Sequence, residues 1–294
     1  MEWTEQMYRP PQEAKSLLLR GAQGCTYNRC HFCYISREST FGVVPPEEIE
    51  RELLDQLPRY SLDTPVYLFG SNPFCQSFDR LKAVAWAIRK HLPLCPEISM
   101  HARITDIAGK SVDQLRQLKE LGITHLYPGT ENGSETALRL MNKGATAAQA
   151  LEQLQKLDEA GIAYTVNYII GMGGRGEGVN SGIETAKLFN RLHPRRITTT
   201  GLTVFPNSPL HDMVRTGIFT EASEREKIVE TIAFLEHLEV ETVLDCGHYL
   251  NMPNFVADVP SKKEEALQML SAFLKKYSED EILKFYPRKH FTTL

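Results

Sequence analysis

Apolar residues along the chain fall into two alternating rhythms. Short runs with β-branched and aromatic residues read as strands: "SLLLRGA" (16–22), "PVYLFG" (65–70), "EISMHA" (97–102), "ITHLYPG" (123–129), "IAYTVNYIIG" (162–171) and "RRITTTGLTVF" (195–205). Between them lie "PPEEIERELLDQL", "FDRLKAVAWAIRKHL", "SVDQLRQLKELG", "ATAAQALEQLQKLDEAG" and "GIETAKLFNRLHP". Each repeats apolar residues at intervals of three and four, and several open on proline or close on glycine, which predicts helices. Six such alternations predict an α/β fold, with parallel strands and crossover helices outside them. The rhythm breaks after residue 210. There "EREKIVETIAFLEHLE" and "SKKEEALQMLSAFLKKY" read as helices around a short apolar run, "TVLDCGHYL". We therefore expect a core over 1–210 and a mainly helical extension, 211–294, packed on it.

Composition narrows the setting. The chain has 294 residues, 42% hydrophobic and 24% charged, as in an ordinary globular protein with a sizeable core. A net charge of -4 gives no polycationic footprint and disfavours extended nucleic-acid binding. The opening "MEWTEQMYRPPQEAK" has no apolar run, so neither a signal peptide nor a membrane span is expected. Six cysteines are too few for a disulfide scaffold in a chain of this length, and a reducing cytoplasm is the expected location.

Half of those cysteines sit in "GCTYNRCHFCY" (24–34): Cys25, Cys30 and Cys33. The triplet follows the first expected strand directly. In parallel α/β folds, loops at the carboxyl ends of strands build the active site. Three readings compete. A structural zinc site needs four ligands, and His31, inside the triplet, has a poor bite for the fourth. A plant-type ferredoxin run shares the spacing C-x4-C-x2-C and needs a distant fourth cysteine, for which Cys75 is the candidate. The third reading is a 4Fe–4S cluster with three protein ligands and one iron open to a small molecule.

At this point the sequence resembles the radical S-adenosylmethionine (radical SAM) superfamily, which carries a cysteine triplet after the first strand of a partial (β/α)6 barrel. The resemblance implies that Cys25, Cys30 and Cys33 ligate the cluster. It also implies that S-adenosylmethionine chelates the open iron and is reductively cleaved to a 5′-deoxyadenosyl radical. Most of the superfamily has three residues between the first two cysteines; here there are four, Thr26, Tyr27, Asn28 and Arg29. A loop accommodates one more residue at little entropic cost. Phe32 matches the aromatic that lies near the adenine in the family.

Other segments extend the resemblance. After the second strand, Gly70, Ser71 and Asn72 occupy the place of a "GGE" segment that holds the methionine amino group, without its glutamate. The stretch "YPGTENGSETALRLMNKGATAAQALEQLQKLDEAGIAYTVNYIIGMGG" (127–174) is similar to the branch containing oxygen-independent coproporphyrinogen oxidase, the Elongator catalytic subunit and the tRNA methylthiotransferases. In it Glu131 matches a position facing the ribose or methionine. Asn167, Ile169 and Gly171 lie in the fifth-strand segment whose backbone meets the adenine. Asn167 stands where glycine is common and Gly174 where glutamate is. Arg103, ending the third strand, is suited to pairing with a carboxylate of cofactor or substrate.

For catalysis the candidates are Cys75, Cys246 and His248, although a scattered cysteine is more often a small buried hydrophobe. The expected protein is an oxygen-sensitive radical SAM enzyme acting on an unidentified small molecule, with a flavodoxin or ferredoxin as reductant. The competing class is a non-catalytic iron–sulfur protein, an electron carrier or sensor, or a zinc-binding protein.

Overall fold

The computed structural model describes residues 8–291. In chain order the elements are β1 (Leu17–Gln23), β2 (Gly42–Val43), α1 (Pro46–Gln56), β3 (Val66–Gly70), α2 (Phe78–His91), β4 (Ile98–Ala102), α3 (Ile104–Ala108), α4 (Val112–Glu120) and β5 (Ile123–Pro128). There follow α5 (Glu135–Leu140), α6 (Ala147–Ala160), β6 (Ala163–Ile170), α7 (Gly178–Phe189) and β7 (Arg196–Gly201). The last are α8 (Pro209–Arg215), α9 (Glu224–His237), β8 (Thr242–Asp245), β9 (Val256–Val259), α10 (Lys263–Lys276) and α11 (Glu279–Phe285). All six expected strands are present, in β1 and β3–β7. This is the α/β class, with the strand–helix succession of a partial (β/α)6 barrel. The segment 1–7, on which the expectation of no leader partly rests, lies outside the described residues.

The chain divides into two compact units. One holds the chain up to Asn28, Ile35–Gly129 and Glu152–Tyr164; the other holds Arg29–Tyr34, Thr130–Leu151 and Thr165 onward. In the first unit β1, β3, β4 and β5 pair in parallel in that order, with β2 antiparallel on β1 and the opening residues of β6 on β5. Alternation divides the two faces of these strands, because successive side chains point to opposite sides. Leu17, Leu19, Val66, Leu68, Ile98 and Met100 are fully buried, as are Ile49 and Leu53 of α1 and Leu81 and Ile88 of α2. Burying such side chains contributes about 1.5–3 kcal/mol each, as an upper estimate. The opposite parity is aromatic and polar. Tyr67, Phe69 and Tyr127 cluster there, and the Tyr67 hydroxyl lies 2.7 Å from His101 Nδ1. On the same parity Ser99 and Tyr127 donate to the buried Glu13 carboxylate.

In the second unit β6, β7 and β8 are parallel neighbours and β9 is antiparallel on β8. The run "TVLDCGHYL" thus supplies another parallel strand, β8, beyond the six expected. Helix α7 begins at Gly178, earlier than its apolar spacing predicts, and α9 lies along it. Gly182 permits this approach: a Cβ there would lie 2.7 Å from the Glu230 carbonyl oxygen. Among the described residues no helix is long and apolar enough to cross a membrane.

Candidate active site

In the first unit the loop after β1 begins with Gly24 in the left-handed region (φ 71°), where a Cβ would lie 2.9 Å from the Phe41 backbone. Cys25 follows, half-buried. Thr26 is tied to the segment after β3: its N–H donates to Asn72 Oδ1 (3.3 Å), and Asn72 Nδ2 donates to Thr26 Oγ1 (2.9 Å) and to Asp106 Oδ2 (2.9 Å). The same Asp106 oxygen accepts the Arg103 N–H at 2.8 Å. The Arg103 guanidinium lies over the Tyr27 ring, 4.6 Å from its centroid, and its Nη1 is 3.4 Å from Thr26 Oγ1. This cation–π contact holds the ring in place.

Gly70 explains how β3 ends so near β1. At φ 129°, any Cβ there would lie 1.7 Å from the Ala22 carbonyl oxygen. Ser71 makes a short hydroxyl contact with Ser36. Gly70, Ser71, Asn72 and Arg103, all expected at the cofactor, are thus brought together with Cys25 in this unit. The side chains of Asn72 and Arg103 engage the cysteine loop itself.

Cys75 is half-buried at the end of a single 3-10 turn, Pro73–Cys75. Burial, with Asp106 adding to it, pushes its thiol up to about 12. Lys110 is buried beneath the same turn, donating to the carbonyls of Phe74 (2.9 Å) and Asp106 (3.1 Å), and burial pushes its ammonium down to about 8.

The second unit holds Cys30 and Cys33. The Cys33 N–H donates to the Cys30 carbonyl (3.3 Å), and Cys30 Sγ lies 3.8 Å from the Lys143 carbonyl. His31 is fixed on three sides: N–H to Met141 O (2.8 Å), Nδ1 to Leu140 O (2.9 Å), and its own carbonyl accepting from Leu210 N–H (2.9 Å). With Nδ1 donating to a carbonyl, that nitrogen is not available as a metal ligand. Phe32 packs on an apolar cluster that includes Met141, Ile169, Met172 and Leu202. Two positions expected near the adenine, Phe32 and Ile169, therefore share one apolar surface.

Glu131 follows β5 with a left-handed backbone (φ 66°) unusual for a glutamate. The conformation is locked on both sides: its N–H donates to Asn167 O (3.0 Å) and its carbonyl accepts from Ile169 N–H (2.7 Å). Its carboxylate is nine-tenths buried and fully oriented. Oε1 accepts from Lys143 Nζ at 3.0 Å and Oε2 from Asn167 Nδ2 at 2.9 Å. Thr198 on β7 donates to Asn167 Oδ1 (3.3 Å), extending the chain of polar contacts. Gly171, just past β6, has φ 85° and gives its N–H to Glu230 Oε2 at 2.9 Å.

Sequence reasoning did not single out Lys143 or Glu230. Lys143 had a signal, its place in "MNKG" downstream of Glu131; Glu230, one acidic residue among several on α9, had none.

Cys246 follows β8, 1% exposed, and burial pushes its thiol up to about 12. His248 is half-buried, its ring held by an N–H from Leu250 to Nδ1 (3.2 Å) and lying against Tyr249. Burial shifts its imidazole downward, with Asp245 opposing. Both belong to the second unit, apart in sequence from the cysteine triplet.

The residues present suit an iron–sulfur cluster. Cys25, Cys30 and Cys33 are partly exposed and not in disulfides, and thiolate is the soft ligand such clusters take. Among the described residues no three His, Cys, Asp or Glu side chains converge as they would on a single metal ion. A cluster does not require that, because each thiolate holds a different iron.

Residues 20–189 match the family model described as the Radical SAM superfamily. No curated protein matches the chain. Among solved structures it is similar to methylornithine synthase (PylB), at 15% identity and a TM-score of 0.53, over 76% of this chain and 63% of that one. It is likewise similar to Elp3 of the archaeon Methanocaldococcus infernus with an N-terminal deletion, at 15% identity and a TM-score of 0.52, over 79% and 59%. Coproporphyrinogen III oxidase (HemN) from Escherichia coli, a radical SAM enzyme, aligns at 17% identity and a TM-score of 0.50, over 89% and 52%. The chain thus spans between about half and two thirds of the length of these proteins, and at such identities the likeness is one of fold.

Proposed function

The chain belongs to the radical SAM superfamily, and from that membership we propose how its own residues divide the work. The superfamily's enzymes use a 4Fe–4S cluster and S-adenosylmethionine, and this protein is an enzyme of that class. Cys25, Cys30 and Cys33 hold three irons, leaving the fourth to the amino and carboxylate groups of S-adenosylmethionine. When bound, the cluster supplies one electron to the sulfonium of S-adenosylmethionine, which yields the 5′-deoxyadenosyl radical. The protein's part is to bind, orient and exclude water.

Asn72 and Arg103 hold the four-residue Cys25–Cys30 spacer, while Gly70 and Ser71 offer backbone and hydroxyl groups to the amino end of the cofactor. Glu131 meets the ribose or methionine, its carboxylate aimed by Lys143 and Asn167. Phe32, Ile169 and Gly171 flank the adenine. The substrate is a small molecule, the electron donor a flavodoxin or ferredoxin, and the compartment a reducing cytoplasm. Residues 1–210 form the catalytic core, and 211–294 the extension that supports it.

The observation that carries this reading is the placement of three half-buried, unbridged cysteines in the loop after the first parallel strand. His31 Nδ1, donating to the Leu140 carbonyl, speaks against completing a zinc site within that loop. The test is anaerobic reconstitution with iron and sulfide, then incubation with dithionite and S-adenosylmethionine. We expect 5′-deoxyadenosine. A reconstituted, reducible cluster that forms none over many hours would overturn the assignment.

A further inference from the structure

Helix α9 carries a buried carboxylate that the cofactor chemistry above does not use. Glu230 is 0% exposed, and it accepts from the Tyr168 hydroxyl at 2.5 Å and from the Gly171 N–H at 2.9 Å. Both donors belong to the end of β6 and the turn that follows it. A carboxylate kept so far from water is costly unless its hydrogen bonds serve a purpose.

Glu230 does not act alone. Glu226 Oε1 accepts the Gly176 N–H at 3.0 Å, and the Thr220 carbonyl accepts the Arg175 N–H at 2.9 Å. Three backbone donors of the loop "GMGGRG" thus hang on acceptors from 220–230. Gly171 and Gly174 are left-handed (φ 85° and 83°), and a Cβ on Gly171 would lie 3.1 Å from Lys227 Cε. Without its acceptors, so glycine-rich a loop would have many conformations. With them, the backbone two residues beyond Ile169 is held in a single path.

We propose that Glu230 is a positioning residue for S-adenosylmethionine: it fixes the turn after β6 against which the adenosyl group binds. The inference rests on the assignment of Ile169 and Gly171 to the adenine side made under Proposed function.

The groups facing Glu230 are Tyr168 from β6 and Lys227 from α9. Lys227 is itself 3.1 Å from Glu224, which Arg288 grips through both carboxylate oxygens (2.6 and 2.8 Å). Burial pushes the Glu230 carboxyl up to about 7, against the pull of Tyr168, the Gly171 N–H and Lys227. The ionised form is the stronger acceptor for both donors. Cofactor affinity therefore gains as pH rises through neutrality.

The test uses the reconstituted protein, titrated calorimetrically with S-adenosylhomocysteine at pH 6 and pH 8. Glu230→Gln keeps the size and one acceptor but not the charge. We expect it to retain its iron and a cooperative thermal transition. Its affinity should be about tenfold weaker than the parent's at pH 8, with a smaller gap at pH 6. Tyr168→Phe, a gentler change, removes one donor and should move the parent's affinity midpoint to higher pH. A purely structural role would lower the melting temperature and leave the affinities and their pH profile in place. Parent-like affinities in Glu230→Gln at both pH values, or an unshifted midpoint in Tyr168→Phe, overturn the inference. A parent that binds no S-adenosylhomocysteine overturns the adenine-side assignment as well.

Discussion

Thr26 and Asn72 hold each other through reciprocal hydrogen bonds, backbone N–H to amide oxygen at 3.3 Å and amide nitrogen to hydroxyl at 2.9 Å. They are far apart in the chain, yet Asn72 is fully buried and so has no water to replace these partners. Thr26 is the residue directly after Cys25, in the spacer that is one residue longer than usual for the family. The pair stops that longer spacer from wandering.

Asn72→Ala removes the acceptor for Thr26 N–H and the donor to Thr26 and Asp106. Leaving such buried groups unpaired typically costs about 1–3 kcal/mol. The variant should unfold at lower urea and take up less iron per chain on reconstitution. Parent-like stability together with parent-like iron would show that the pair does not anchor the loop.

The Cys25/Cys30/Cys33→Ala triple variant should lose its cluster altogether, measured as iron and sulfide per chain. In the parent, S-adenosylmethionine should change the EPR signal of the reduced cluster. Iron retained by the triple variant would place the cluster elsewhere.

Glu131→Ala should bind S-adenosylmethionine about ten- to a hundredfold more weakly, the loss expected for one charged hydrogen bond, while keeping its iron. Lys143→Met should imitate this and also destabilise the fold, because it leaves a nine-tenths-buried carboxylate without its cation. Breaking one side of a buried pair typically costs about 3–5 kcal/mol. Chemical denaturation and equilibrium binding, run on both variants, separate the two effects; full binding by Glu131→Ala would return that residue to a structural role.

Glu230 also predicts a pH dependence of stability. Its folded-state pKa, about 7, lies above the ordinary carboxyl value of 4.5. Between these values the folded protein keeps a proton that the unfolded chain has released, so this group's contribution to stability falls as pH rises from about 4.5 to 7 and is level above. The span corresponds to about 3 kcal/mol. Urea unfolding at pH 5, 7 and 8.5 should show the parent losing this stability relative to Glu230→Gln. Parallel profiles would mean that the carboxyl titrates in its ordinary range.

Cys246 should resist alkylation by iodoacetamide at pH 8, being buried with a thiol raised to about 12. The double Cys75→Ser, Cys246→Ser variant should keep the parent's iron content. Loss of about four irons per chain on making it would mean that one of these cysteines serves a second cluster.

Much of this was readable residue by residue. Leu17 and Leu19 alternate with Leu18 and Arg20, and that period alone places β1 and divides its two faces. The cysteines cluster within one loop because cluster ligands drawn from neighbouring positions need only local chain geometry. Gly24, Gly70 and Gly171 stand where the backbone turns left-handed or passes close to another strand, a demand that glycine meets without steric cost.

What the sequence left open depends on distance along the chain. "TVLDCGHYL" is too short for its period to separate a sheet strand from a loop, and only the ladder of β8 on β7 decided it. The tertiary structure also revealed that Asn72 and Arg103 grip the Cys25–Cys30 spacer, that Lys143 aims Glu131, and that Glu230 holds Gly171 from 59 residues away. An acidic residue in a helix carries no mark of its partner, since a hydrogen bond depends on proximity in space and periodicity reports only on the faces of a single element.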